Sequence, residues 1–290
     1  MKISNKQIKI YLITAFGLAY ILQIIASIFR NQGNETVFTV IMAVCMFMPL
    51  LGALVARVPF KGMGWLPKLK GKIRYVFFAL WMPAVLSTIG GILFFILFPH
   101  TKDLDFMTLR NLFESSGVME QMEAQGITIP MYILITTVGA LTYAPFINMI
   151  PSLGEEVGWR GVLYPYLKDK YGKNKGRIFG GTIWGMWHWP CMILAGYEYG
   201  KEYIGAPVLG LFVFCMFTIA MGILLDYVYE KTEVIWIPSL MHGAINAFTI
   251  FMYLIKPEYS HMSVLGPGFI GLIGMIPMVV MAIYLCEKKK

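Results

Sequence analysis

Apolar residues in this chain run in long blocks, parted by short polar segments. Eight blocks stand out, at about 10–29, 37–56, 75–98, 130–150, 178–196, 205–227, 234–255 and 267–286. Each is close to the roughly 20 residues that an α-helix needs to cross a bilayer's hydrocarbon core. Lipid offers no partner to backbone N–H and C=O groups, so a long apolar spanning segment must satisfy them internally as a helix. The pattern predicts an all-α, polytopic membrane helix bundle with about eight transmembrane helices. No soluble block and no clear repeat interrupts the series, so residues 1–290 read as a single membrane-embedded domain. One segment departs from the pattern. Residues 100–129 mix Asp103, Asp105, Glu114, Glu120 and Glu123 with a loose set of apolar positions. They predict an external loop carrying one or two short interfacial helices.

Composition agrees with this reading. The chain is 58% hydrophobic and 14% charged, with a mean hydropathy of +0.66; a soluble domain carries about 25% charged residues. The first block follows Lys2, Lys6 and Lys9, as a signal peptide would. Its length and its lack of a small-residue cleavage site make it a first membrane helix instead. The formal charge of +8 does not point to nucleic acid, because the bases sit in alternate loops. Arg57, Lys61, Lys68, Lys70, Lys72 and Arg74 follow the second block, and Arg160, Lys168, Lys170, Lys173, Lys175 and Arg177 follow the fourth. Lys288, Lys289 and Lys290 end the chain, on the same side as Lys2, Lys6 and Lys9. The opposite loops carry only Arg30, Lys102, Arg110, Lys201 and Lys256. This alternation predicts both termini in the cytoplasm, N-in and C-in. Cys45, Cys191, Cys215 and Cys286 lie in or beside apolar blocks without C-x-x-C spacing, and read as packing residues, neither a disulfide set nor a metal site.

Ionisable groups at membrane depth cost several kcal/mol each unless paired or wet, so they mark functional sites by default. Three stations qualify. The first is Gly154-Glu155-Glu156-Val157-Gly158-Trp159-Arg160. Glu156 and Arg160 are four apart, on one helical face, and can pair. Ser152 and Glu155 have the spacing of a capping box at a helix start, which accounts for one carboxylate and leaves the second unexplained. Two adjacent carboxylates repel, which poises one of them as a general base. The second station is His188, amid Trp184, Trp187 and Trp189, where the plain alternative is a packed core histidine. The third is His242 with Asn246, an i,i+4 pair beside the small residues Gly243, Ala244 and Ala247. Its plain alternative is an interhelical hydrogen bond. In the N-in topology all three stations lie toward the cytoplasmic side and can meet. Together they hold a base and oxyanion donors for water-driven hydrolysis. Alternatively, Glu155, His188 and His242 make a zinc set with one position left for water. The soluble zinc-protease motif H-E-x-x-H is absent. Asp226, at the cytoplasmic end of the sixth block, reads as an interfacial group; His100, His261 and Glu198 read as external.

Set side by side, the stations resemble the CAAX protease and bacteriocin-processing family of intramembrane endopeptidases. That family is marked by E-E-x-x-x-R, F-x-x-x-H and H-x-x-x-N. Glu155 to Arg160 matches the first in full, and His242 to Asn246 the third. Trp184 to His188 matches the second with tryptophan in place of phenylalanine. The resemblance covers about residues 130–255 and implies that this stretch is the catalytic core. It implies that Glu155, assisted by His188, activates water, that His242 and Asn246 stabilise the oxyanion, and that Glu156 and Arg160 hold the site. It further implies cleavage at the cytoplasmic side, either of a lipidated C-terminal tail or of a small leader or bacteriocin-like peptide. The implied mechanism is metal-dependent, with zinc, or metal-free. The implied membrane is the cell membrane in a bacterium and the endoplasmic reticulum in a eukaryote. A non-catalytic immunity or scaffold protein of the same fold is the alternative. A proton-coupled transporter ranks below both, because the polar groups gather at one depth. If the stations form one site, Glu155 faces His188 across a small wet cavity. If only the cap exists, Glu155 points to bulk water.

Overall fold

The computed structural model describes residues 3–287; Lys2, Lys288, Lys289 and Lys290 of the charge pattern lie outside the described residues. The described chain is helical throughout, with a single isolated bridge between Lys102 and Ile255, and forms an all-α bundle. Helix α1 (Asn5–Asn31) opens with Ser4, whose side chain accepts from the Gln7 amide while the Gln7 side chain accepts from Ser4 N–H. Such a reciprocal cap satisfies two of the free donors at a helix start. The second block forms α2 (Glu35–Cys45) and α3 (Met48–Val55), parted just before Pro49. Helix α4 spans Ile73–Leu97. Residues 100–129 hold two short helices as expected, α5 (Met107–Ser116) and α6 (Val118–Ala124), packed on Leu109, Phe113, Met122 and Ile129.

The later blocks are less regular than eight equal spans. They form α7 (Ile129–Leu141), α8 (Ala144–Gly158), a π-turn (Trp159–Leu163), α9 (Tyr164–Tyr171), α10 (Lys173–Trp187), α11 (Trp189–Ala195), α12 (Val208–Thr232), α13 (Trp236–Ala247) and α14 (Ile276–Glu287). Four described helices are long and apolar enough to cross a membrane: α1, α2 with α3, α4 and α12. The bent pair α6 and α7, turned by 97°, makes a fifth if taken as one span. The remaining blocks are broken. Backbone can leave the helix at membrane depth only where protein or a cavity supplies the missing partners.

The break at His188 shows how this is done. Pro190 has no N–H, and its ring crowds the carbonyl four residues back, that of Met186. Tyr20 of α1 donates its hydroxyl to that carbonyl at 3.0 Å. One residue on, the Trp187 carbonyl and the Cys191 amide do not bond to each other. Gln23 of α1 lies between them, its Nε2 donating to Trp187 O at 2.8 Å and its Oε1 accepting from Cys191 N at 3.3 Å. A fully buried side-chain amide thus replaces one turn's hydrogen bond. The π-turn has a similar origin. Pro165 would clash with the Gly161 carbonyl in a regular helix; the backbone widens instead, and the Tyr164 amide reaches back five residues to Trp159 O.

One expectation is corrected here. Helix α8 starts at Ala144, with Pro145 in its first turn, where a missing N–H costs nothing. Ser152 lies two turns inside and is fully buried, so Ser152 and Glu155 form no capping box. The expected close approach at Gly243 is present. A Cβ there would come within 2.5 Å of Pro145 O and 2.7 Å of Met149 N, so α13 and α8 touch backbone to backbone.

The bundle has two chemically distinct ends. At one, Tyr166 Oη donates to Asn5 Oδ1, Gln7 to Arg57 O, Lys72 to Thr232 O and Asn174 to Cys286 O. The described chain termini and the base-rich loops therefore share this end. At the other, Lys201 donates to Asn31, Asp103 N to Leu254 O and Ile204 N to His261 O. Substitution Gln23→Leu should leave two backbone groups orphaned at the His188 break, each costing about 1–3 kcal/mol. The expected outcome is a lower unfolding temperature in detergent and faster amide exchange at Cys191.

Candidate active site

Glu155 and Glu156 sit in the last turn of α8, and the two carboxylates leave the helix in different directions. Glu155 is 2% exposed. Its Oε2 accepts two indole N–H groups, Trp159 Nε1 at 3.0 Å and Trp184 Nε1 at 2.7 Å. Two donors on one oxygen fix the carboxylate's orientation and leave Oε1 without a protein hydrogen bond among the described contacts. Glu156 is fully buried and pairs with Arg160 Nη1 at 3.1 Å, as the i,i+4 spacing predicts. Its Oε1 also lies 2.8 Å from His242 Nδ1. Arg160 in turn donates from Nη2 to Gly222 O at 3.2 Å and packs its guanidinium over Tyr164 and Trp184. Buried charge is stable only when paired and hydrogen-bonded, and this chain of contacts ties α8, α12 and α13 together.

His242 stands edge-on to Trp184, with centroids 5.3 Å apart. Its Nδ1 is committed to Glu156, so Nε2 is the ring nitrogen left for chemistry. His188 lies at the α10–α11 break. Its Nδ1 is 3.1 Å from Trp184 O, and its ring packs edge-on against Trp187 and Phe214. Asn246, one turn past His242, is exposed to the cavity described next.

A cavity of about 630 Å³ is lined by Glu155, His188, His242 and Asn246 together. The three stations do converge, and Glu155 faces this cavity, not bulk water. Glu155 and His188 share it without a direct hydrogen bond. Glu156 and Arg160 stand behind the wall, outside the lining. Asp226 is elsewhere, paired with Arg177 at 2.6 Å and Lys168 at 2.7 Å.

His188 is eleven residues beyond Arg177 on the same rod, about 16 Å at 1.5 Å per residue. His188 therefore stands well away from Arg177 and the base-rich end. From there the cavity runs past Phe38 and Phe214 to Arg30, Glu35 and Glu198 at the base-poor end.

Three contributors escaped the sequence reading. Asn148 lines this cavity beside Asn246 and also a second cavity of about 340 Å³ bounded by Leu109, Phe113 and Tyr253. Gln23 shapes the His188 break. The Trp159 indole holds Glu155, together with that of Trp184, already named as the aromatic of the second motif. Each had a signal: a lone amide in an apolar block, or a tryptophan four residues after a carboxylate.

The proposed zinc set does not fit as arranged. Among the described residues, no group of three His, Cys, Asp or Glu side chains converges to hold a metal.

At the cavity mouth, burial pushes the Glu198 carboxyl up to about 7, against the opposing pull of a hydrogen bond from Tyr197 and the nearby Arg30 charge.

Residues 134–248 match the family model described as type II CAAX prenyl endopeptidase Rce1-like. A curated relative named CAAX prenyl protease 2, from Methanococcus maripaludis, is 26% identical over 144 residues. That alignment covers 50% of this chain and 49% of the relative, so the chain spans about half the length of the curated relative it matches. The matched segment contains all three motifs and bears out the family resemblance.

Two outcomes test this description. Arg160→Met leaves the Glu156 carboxylate buried without its cation. It should destabilise the protein by about 3–5 kcal/mol, while Arg160→Lys keeps the charge, loses the fork geometry and falls between. For Glu198, the folded carboxyl titrates near 7 and the free one near 4.5. Between those values only the unfolded chain ionises, so stability is lost as pH rises through that window. Thermal unfolding of the wild type at pH 5.5 and 8 should show this loss, and Glu198→Gln should flatten it.

Proposed function

We propose that the chain is a membrane endopeptidase in which Glu155 activates water against a peptide bond. The observation that carries this reading is the shared cavity. A carboxylate oriented by two indoles, two imidazoles and a carboxamide meet there, walled off by buried tryptophans. The family match supports the same class.

In the proposed mechanism, water binds between Glu155 Oε1 and His188. Glu155 takes a proton as the water oxygen attacks the scissile carbonyl carbon. The carbonyl oxygen becomes an oxyanion, which accepts from Asn246 Nδ2–H and from Nε2–H of protonated His242. Glu156 holds Nδ1 of His242 as a donor and offsets its positive charge, as a buried carboxylate does for a catalytic imidazole. Arg160 holds Glu156 in place. The tetrahedral intermediate then collapses, the C–N bond breaks, and Glu155 returns its proton to the leaving amine. No step needs a metal.

The substrate we propose is a peptide or a lipid-bearing C-terminal tail. The second cavity, bounded by Leu109, Leu112 and Phe113, adjoins the first at Asn148, Asn246 and Tyr253, and could seat an apolar tail beside the cleavage site.

Purified protein in detergent should cleave prenylated or unmodified reporter peptides. Glu155→Ala should abolish cleavage while the protein still folds. Asn246→Ala, losing one oxyanion donor, should lower kcat by about 10²–10³. A chelator should leave the rate unchanged. Full activity in Glu155→Ala overturns the assignment, and loss of activity with chelator, restored by zinc, overturns the metal-free mechanism.

A further inference from the structure

We infer that the site is supplied from the base-poor, outer end of the bundle, so that the peptide it takes is presented from the face opposite the cytoplasm. Three observations point the same way.

The first is the shape of the cavity. From Glu155 its lining climbs past Met42 and Phe38 of α2 to Arg30 and Glu35, where α1 turns into α2. On the other wall it reaches Tyr197, Glu198 and Gly200 in the α11–α12 loop. These are the loops that meet at the base-poor end, where Lys201 bonds Asn31. The lining includes no residue from the base-rich loops.

The second is the plug beneath the site. Trp159, Arg160, Leu163 and Tyr164 are each fully buried, as is Leu224 of α12, and Arg160 bonds the Gly222 carbonyl of α12. Below that layer Arg177 and Lys168 clamp Asp226, and Lys173, Lys168 and Arg177 clamp Glu230. The layer leaves no lining through which a peptide could reach Glu155 from that side.

The third is charge. Basic residues in short loops orient a membrane protein with those loops in the cytoplasm. Lys6, Lys9, Arg57 to Arg74 and Lys168 to Arg177 all gather at the plugged end. The open end then faces outward. The expectation of cytoplasmic cleavage rested on where the motifs fall within their blocks; the depth of His188 and the path of the cavity reverse it.

The mouth fits a peptide. Arg30 is paired to Glu35 at 3.1 Å and stacks over Phe38 at 4.6 Å, which places charge at the rim and aromatic surface just inside. An extended segment beside its membrane anchor, on the outer face, is the substrate class this suits. The substrate class rests on the peptidase reading; the direction of access does not.

The test uses the full chain in intact cells, with its four cysteines changed to alanine and one reporter restored at a time. Glu202→Cys reports the open end, Met42→Cys the cavity and Lys170→Cys the plugged end. A membrane-impermeant maleimide should label Glu202→Cys and Met42→Cys in intact cells, and Lys170→Cys only after permeabilisation. Labelling of Lys170→Cys but not Glu202→Cys in intact cells overturns the orientation. Labelling of Glu202→Cys with an inert Met42→Cys overturns access through this mouth. In a second arm, Met42→Cys blocked by the reagent should cleave an externally added peptide at least tenfold more slowly than the unblocked variant. Equal rates overturn entry by this route. No cleavage in any preparation, with the expected labelling, overturns the peptidase reading and the substrate class alone.

Discussion

A carboxylate without water must have a cation or be neutral, and Glu156 has one. The Glu156–Arg160 pair, with His242 Nδ1 also on the Glu156 Oε1 oxygen, is the contact from which the surrounding architecture follows. It requires α13 to come close enough for an imidazole to reach α8, hence glycine at position 243. It requires α12 to offer a carbonyl at Gly222 for the guanidinium's second nitrogen. It requires aromatic faces, Tyr164 and Trp184, to receive a cation that lipid would not. Removing any one member leaves a charge with no solvent to fall back on.

The same logic separates the two adjacent glutamates. Glu156 is paired with Arg160 and His242 and sits behind the cavity wall. Glu155 is held by indole donors on one oxygen and presents the other to open space. Adjacent positions on a helix point about 100° apart, so one becomes a strut while its neighbour faces the cavity. The indoles orient Glu155 without placing a positive charge beside it.

Much of this was legible in the chain. The apolar blocks define an all-α membrane bundle because bilayer thickness sets a length that sequence displays directly. The six motif residues were legible because charge and imidazole are rare in such blocks. What stayed hidden has a common cause. Whether a block is one helix or two depends on partners elsewhere: the break at His188 needs Pro190, which is visible, and also Tyr20 and Gln23, which pair with it only in three dimensions. Ser152 misled for the opposite reason, since its local spacing with Glu155 is that of a cap, while Pro145 starts the helix two turns earlier.

Gln23 has a consequence for how the molecule can be divided. The segment that carries all three motifs is completed by an amide 164 and 168 positions away in the chain. That amide stands in for a missing peptide unit, so α1 is structurally part of the α10–α11 rod although it is remote in sequence. The boundary of the segment that matches the family model is therefore not a boundary of the folding unit. A chimera that kept residues 134–248 and took its first helix from another source would need to supply a donor and an acceptor at this one height, or the rod that carries His188 would end a turn early.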